Sequence, residues 1–394
     1  MKILVVCQYY KPEPFRISDI CEALAEAGHK VTVVTGIPNY PEGEIYTGYE
    51  KTAGQDVLDN GVHIHRCYTI PRKTGALYRM LNYFSFAWSS ARYLSRTTKE
   101  YDVVFVNQLS PVMMAWGAIR YARKWNKKVV LYCLDLWPES LQAGGIRKGS
   151  LIYNIFLAIS KKVYCAVDRV LITSKGFANY LNEYIGVKGE CGYLPQYAEA
   201  TFDDVPDYVP HDAPYHFMFA GNIGEMQSVD TIIEAARALE HDSRVVFDIV
   251  GDGSALQHCK KLAEGLENVI FCGRKGVEEM PFYYAKADAM LVTMKDNPEI
   301  ALTLPGKVQS YMAAGRTLIG SIGGETAQVI CDAGCGICVA PEDGKALAAA
   351  IKELLDNPEN LVKYADNSRA YYRTHFRKES FVNKLINELA EYSK

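Results

Sequence analysis

Short runs of apolar, β-branched residues recur along this chain, separated by stretches with helical spacing. The first run covers residues 3–7, and a loop with Pro12 and Pro14 follows. A helical pattern over 18–27 is closed by Gly28, and a second apolar run occupies 31–35. Strand, loop, helix, glycine and strand make a βαβ unit, which predicts a parallel sheet with right-handed crossovers. Runs at 103–107, 129–133 and 170–173 continue the theme. Being apolar almost throughout, they read as strands covered on both faces.

The pattern breaks at residues 203–214, where three prolines and four aspartates fall in a dozen positions, the signature of a linker. It then restarts. A strand at 217–220 runs into Gly221-Asn222-Ile223-Gly224, and a helix is expected over 229–239. Strands follow at 245–250, 269–272, 290–293 and 317–321, and an amphipathic helix at 379–392 closes the chain. The fold class is therefore α/β, with two Rossmann-like doubly wound domains facing a cleft. One spans 1–202 and the other 203–375, and the terminal segment 376–394 packs back on the first.

With 394 residues, two domains are also the expectation from length. A formal net charge of −3 lacks the basic excess of a nucleic-acid binder, so no nucleic acid is expected as a partner. The eleven cysteines are scattered. The lone CxxC of Cys335 and Cys338 lies in a glycine-rich, strand-like stretch and reads as a pair of small hydrophobes in a reducing compartment. No apolar stretch has the length of a signal peptide or a membrane span, so the expected location is cytoplasmic. Attachment to the inner membrane face is the one membrane role left open.

The chemistry-bearing positions cluster at the carboxyl ends of predicted strands, where open α/β sheets bind ligands. Gly221, Asn222 and Gly224 form a turn whose backbone N–H groups can approach a phosphate near a helix N-terminus, or simply make a tight turn. The turn Gly251-Asp252-Gly253 reads as mainly structural. Arg274 and Lys275 follow a strand and suit a pyrophosphate, the alternative being solvated charge. Glu299, Thr303, Pro305, Gly306, Lys307 and Ser310 lie in one segment, with Pro305-Gly306 opening a helix that ends at Gly315. Lys307 in the first helical turn opposes the helix dipole, an arrangement that calls for a nearby anion.

In the first half, Arg16 follows strand one and reads either as a phosphate or acceptor contact or as a partner of Glu13 or Asp19. Asp135 ends a strand beside Trp137, which suits sugar-hydroxyl binding or general-base work, against an N-cap with a packed indole. Residues 72–99 place Leu77, Met80, Leu81, Phe84 and Trp88 near helical spacing, interleaved with Arg79, Arg92, Arg96 and Lys99. That pattern fits either a membrane-interface helix or a packed helix with snorkelling basic residues. Lys161-Lys162 and the basic residues of 120–128 add positive charge to the same half.

These motifs resemble the GT-B glycosyltransferases of the GT4 type, in particular bacterial polysaccharide enzymes of the fucosamine and colanic-acid kind. The resemblance rests on Tyr9-Tyr10-Lys11-Pro12-Glu13-Pro14, Gly28–Val33, Asp135-Leu-Trp-Pro-Glu-Ser140 and Leu194-Pro195-Gln196-Tyr197. Ala220–Gly224, Val250–Gly253 and Pro305–Gly315 complete it. It implies a nucleotide-sugar donor, UDP-linked, held by the second domain through Gly221, Asn222, Gly224, Thr303, Pro305, Gly306 and Ser310. Asp135, Glu299, Arg274 and Lys307 become the catalytic residues, and Arg16 and Trp137 the acceptor contacts. No metal or other cofactor is implied. The acceptor expected with it is a lipid-linked saccharide at the inner leaflet of the membrane. The family's paired glutamates, seven residues apart, are not both present, since the second falls on Ser310. Its phosphate-binding Arg and Lys fall on Asn222 and near Gln227, which leaves Arg274 and Lys307 for that task. The alternatives on the same fold are a nucleotide-sugar 2-epimerase and a non-catalytic nucleotide-sugar-binding subunit.

Overall fold

The computed structural model describes residues 1–98 and 100–393. Lys99, one of the basic residues singled out above, lies outside the described residues. The chain divides into two compact units. The first comprises Met1–Thr173, Phe177–Leu194 and the chain from Val382 onward, and the second comprises Ser174–Gly176 and Pro195–Phe381.

The first unit is built on strands β1 (Lys2–Val6), β2 (Lys30–Thr35), β3 (Asp56–Asp59), β4 (Val62–Arg66), β5 (Val103–Gln108), β6 (Lys128–Cys133), β7 (Arg169–Ile172) and β8 (Gly192–Tyr193). Their order across the sheet is β3-β4-β2-β1-β5-β6-β7-β8. All neighbours run parallel except β3 and β4. The central strands carry almost no polar side chain because helices cover both faces. Leu4, Val5, Phe105 and Val106 are fully buried, and each such side chain contributes about 1.5–3 kcal/mol from removal of apolar area from water.

The β3–β4 hairpin is the element that periodicity alone does not reveal. Asp56 and Asp59 bound a strand whose Val57 and Leu58 stay exposed, so no apolar alternation marks it. Its turn carries the signal instead. Asn60 and Gly61 both take positive φ, at 45° and 76°, the conformation that an Asn-Gly hairpin turn demands.

The second unit holds β9 (Tyr215–Ala220), β10 (Val245–Val250), β11 (Val269–Gly273), β12 (Ala289–Thr293), β13 (Thr317–Ser321) and β14 (Gly336–Val339). Their order is β11-β10-β9-β12-β13-β14, parallel throughout. The strand order reverses between β9 and β12, and the corresponding reversal in the first unit lies between β1 and β5. Crevices at such switch points are where doubly wound sheets hold ligands.

The proline-rich stretch 203–214 packs into the second unit instead of hanging free. The Arg369 guanidinium donates to the Val205 carbonyl at 2.8 Å and pairs with Asp207 at 3.2 Å, while Tyr208 Oη donates to Asp288 at 2.9 Å. At the far end of the chain, the helix Lys378–Glu391 places Glu388 against Arg169. Two parallel N–H···O bonds of 2.9 Å join them in the first unit. No helix among the described residues is long and apolar enough to cross a membrane.

Candidate active site

In the second unit, two glycine turns interlock at the ends of β9 and β10. Gly221 donates to the Val250 carbonyl at 3.0 Å, and Ile223 donates to that of Asp252 at 2.9 Å. Gly221 and Gly251 both take φ 143°. A Cβ on Gly251 would stand 1.8 Å from the Gly221 carbonyl oxygen, so nothing larger than glycine fits. The turn is not the mouth of a helix, however. A 3₁₀ turn at Glu225–Gln227 and Ser228, with φ 46°, intervene before the helix Val229–Ala238 begins. That helix start is already occupied, since Ser228 Oγ donates to Asp230, which Lys295 also contacts at 3.1 Å. The helix therefore does not open directly at Gly221–Gly224 as expected. Asn222 donates to Gln227 Oε1 at 3.0 Å and braces the loop.

The helix Gly306–Ala313, which follows β12, supplies what the turn lacks. Tyr311 Oη accepts from the Ala220 N–H at 3.0 Å and donates to the Ala220 carbonyl at 2.8 Å, pinning this helix to the end of β9. Lys307 thereby points at the glycine turn. Its Nζ would lie 2.9 Å from a Cβ on Gly221, sits 3.8 Å from the centre of the Phe219 ring, and is buried without a hydrogen-bond partner among the described residues. Burial lowers its pKa to about 7. A cation in this position, between Gly221 and the Phe219 ring, lacks a counter-ion among the described residues.

The remaining donor-side residues are spread around this centre. Pro305 caps the helix, and Gly306 is exposed, with open space where a Cβ would be. The Thr303 carbonyl accepts from Thr326 at 3.1 Å. Glu299, half-buried, precedes the 3₁₀ turn Ile300–Leu302, and its N–H donates to Asn297 Oδ1 at 2.9 Å. Arg274 is exposed, directly after β11. Ser310 is buried and its hydroxyl donates to Glu199 at 3.3 Å. Glu199 escaped the sequence reading because 111 positions separate the two residues.

In the first unit, Asp135 lies just beyond the end of β6. Its carboxylate accepts from Ser110 Oγ at 3.1 Å, and Ser110 in turn accepts from the Trp137 indole N–H at 2.8 Å. The Asp135 carbonyl takes a bond from Gln108 at 3.1 Å. Burial raises the Asp135 carboxyl above its ordinary pKa, with Ser110 and the Arg72 charge pulling the other way. Trp137 is only 1% exposed. Its ring is packed between Tyr83 and Phe156, so no face is open to stacking on a sugar.

Two further residues complete this unit's site. Arg72 sits among Tyr9, Tyr40 and Tyr83, with its guanidinium 5.8 Å from the centres of the Tyr40 and Tyr83 rings. Burial works against its charge, but the surrounding tyrosines prevail and raise its pKa. Glu13 is buried and accepts backbone N–H bonds from Tyr10, Asn39 and Tyr40 at 2.8–3.1 Å, fixing the loops after β1 and β2 to each other. Arg16 stands at the N-cap of the helix Ile17–Glu26 that this loop leads into.

Comparison with known proteins gives these features a context. Residues 15–191 match the profile described as a glycosyl transferase 4-like domain, and residues 214–357 match that of glycosyl transferases group 1. WcaI of Escherichia coli strain K12, named for colanic acid biosynthesis, is 28% identical over 99% of this chain and 100% of its own length. The chain belongs to the GT4-type glycosyltransferases. Its two parallel-sheet units match GT-B structures. Sucrose-phosphate synthase from Thermosynechococcus elongatus superposes with a TM-score of 0.74 at 17% identity, covering 99% of this chain and 98% of its own. HepE from Anabaena, solved with UDP and glucose, gives 0.70 at 15%, covering 99% of both chains. Within this GT4-type chain the Asp135 group lies in one unit and the Lys307 group in the other.

Proposed function

We propose that this glycosyltransferase moves a hexosyl residue from a UDP-linked sugar to a lipid-linked saccharide acceptor in bacterial surface polysaccharide synthesis. The observation that carries the reading is Lys307, whose buried Nζ has no hydrogen-bond partner among the described residues and lies beside the Gly221 turn. A diphosphate supplies its missing counter-charge, and as the glycosidic bond breaks, the charge that develops on the leaving diphosphate strengthens that interaction. Arg274 adds a second cation, and Glu299 and the Ser310–Glu199 pair offer oxygens to sugar or ribose hydroxyls. No metal ion is assigned a role.

On the acceptor side, Asp135 is the proton acceptor, held by Ser110 and made more basic by its burial. Arg72 and Arg16 offer charge to an acceptor phosphate. Relatives support the donor and the polysaccharide setting of this reading, since HepE was solved with UDP and glucose and WcaI is named for colanic acid biosynthesis. The test is a thermal-shift screen of nucleotide sugars followed by transfer to a polyprenyl-diphosphate saccharide. Stabilisation by a UDP-sugar and formation of an extended lipid-linked product are expected. Stabilisation without product would reduce the protein to a binding subunit.

A further inference from the structure

The chain leaving β1 carries a buried amide that is satisfied at one end only. Gln8 is 2% exposed and lies two residues past Val6, which pairs with Val106 of β5. Gln108 lies two residues past Val106, so the two glutamines come off neighbouring strands at the same level, where the strand order reverses. Both ends of the Gln108 amide are engaged. Its Nε2 donates to the Leu109 and Asp135 carbonyls at 2.7 and 3.1 Å, and its Oε1 accepts from Tyr164 Oη at 3.0 Å. Gln8 differs. Its Nε2 donates to Asn82 Oδ1 at 2.7 Å, while its buried Oε1 has no partner among the described residues.

Backbone groups decide which end of each amide is which. Asn39 Nδ2 donates to the Ile37 carbonyl at 2.8 Å, and its Oδ1 accepts the Arg72 N–H at 2.8 Å. Asn82 Nδ2 donates to the Ile70 carbonyl at 2.7 Å and lies 3.4 Å from Asn39 Oδ1, so Asn82 Oδ1 is the end that meets Gln8. A carbonyl cannot donate and a backbone N–H cannot accept, which gives the chain from Arg72 through Asn39 and Asn82 to Gln8 a single polarity. It ends on an oxygen. A buried acceptor without a donor is unfavourable, and it marks a place where a ligand can supply one.

The neighbours of Gln8 are those of Asp135. Tyr9 Oη lies 3.5 Å from Gln8 Nε2. Tyr83, next to Asn82 in the helix Ala76–Arg96, packs edge-on against Trp137 at 5.9 Å, and Trp137 bonds Ser110, the partner of the Asp135 carboxylate. We propose that Gln8 Oε1 accepts a hydrogen bond from a hydroxyl of the acceptor sugar other than the one that Asp135 deprotonates. The inference rests on the saccharide acceptor and the Asp135 role proposed above, and it makes Gln8 a specificity-determining residue. An amide oxygen takes a neutral donor and repels phosphate or carboxylate, so Gln8 selects a hydroxyl and leaves anionic groups to Arg72. A site built to bond a substrate hydroxyl discriminates against the analogue that lacks it.

The experiment gives the full chain octyl β-glycosides of glucose, galactose and N-acetylglucosamine, each with its monodeoxy analogues, and the UDP-sugar of largest thermal shift. For wild type, one analogue that keeps the reacting hydroxyl should lower kcat/KM about 10- to 100-fold. Gln8→Met should lower kcat/KM for the parent glycoside by a similar factor, mainly through KM, and should no longer distinguish the parent from that analogue. The KM for the UDP-sugar should not change. Where a glycoside binds without turning over, saturation-transfer NMR reads the same comparison in Kd. Equal discrimination by wild type and Gln8→Met against every analogue overturns the inference. A retained UDP-sugar thermal shift reports that the variant is folded. Should Gln8→Met not fold, Gln8→Asn, whose amide stops one methylene short, is expected to lose the same discrimination. Neither transfer nor NMR signal from any glycoside with wild type would remove the saccharide acceptor and this inference with it, whereas transfer indifferent to Gln8 removes the role of Gln8 alone.

Discussion

Replacing Lys307 with methionine separates two consequences of its burial. The ammonium has a pKa of about 7 in the folded protein against an ordinary 10.5. Between these values the unfolded chain binds more protons, so this residue makes stability rise with pH from about 7 to about 10.5, and its cost is greatest below pH 7. Lys307→Met should therefore melt higher than wild type at pH 6, with the difference vanishing near pH 10.5, as read by thermal denaturation without nucleotide. The same variant should lose about 1.5–3 kcal/mol of donor binding, roughly 10- to 150-fold, in calorimetry. Because an anion favours the charged form, wild type should take up a proton on binding UDP at pH 8.5. Titrations in two buffers of different ionisation enthalpy will show it, and Lys307→Met should show none.

Asp135 is tested at the same scale. On the proposed base role, Asp135→Asn should lower kcat for transfer by roughly 10²–10⁴-fold with little change in donor affinity. Undiminished transfer would end the base role. The stereochemistry at the anomeric carbon, read by NMR of the product, tells a base-assisted inverting transfer from a retaining one.

At the scale of elements, the site depends on backbone that glycine alone permits. Gly251→Ala forces a methyl group into the Gly221 carbonyl and should cost about 2–4 kcal/mol, visible as a lower Tm together with weakened UDP-sugar binding. Much of this frame is legible in the sequence. The buried residues Val103–Val106 of β5 are written as an unbroken apolar run, and Lys307 stands out because it opposes a helix dipole. What stays hidden depends on distant partners. Glu13 reaches Asn39, Ser310 reaches Glu199, and Trp137 turns inward to Ser110, and no local spacing marks any of these. The β3–β4 hairpin is a different case, because Asn60-Gly61 does announce it and only the weak alternation around it conceals it.

At the scale of the molecule, the bidentate Arg169–Glu388 pair closes the first unit with residues from the far end of the chain. Glu388→Gln removes one charge from a pair that is 23% and 13% exposed and should lower stability by about 1–3 kcal/mol, measured by denaturant unfolding. That contact also sets an order of events during synthesis. A ribosome makes Pro195–Phe381, nearly all of the second unit, before it makes the Val382 segment that the first unit needs. The unit whose strands emerge first is thus the one completed last, against the usual N-terminal-first sequence of vectorial folding. Until the final helix is released, Arg169 and the β8 edge await residues not yet polymerised, and a stall in translation anywhere between the two leaves the earlier half unfinished.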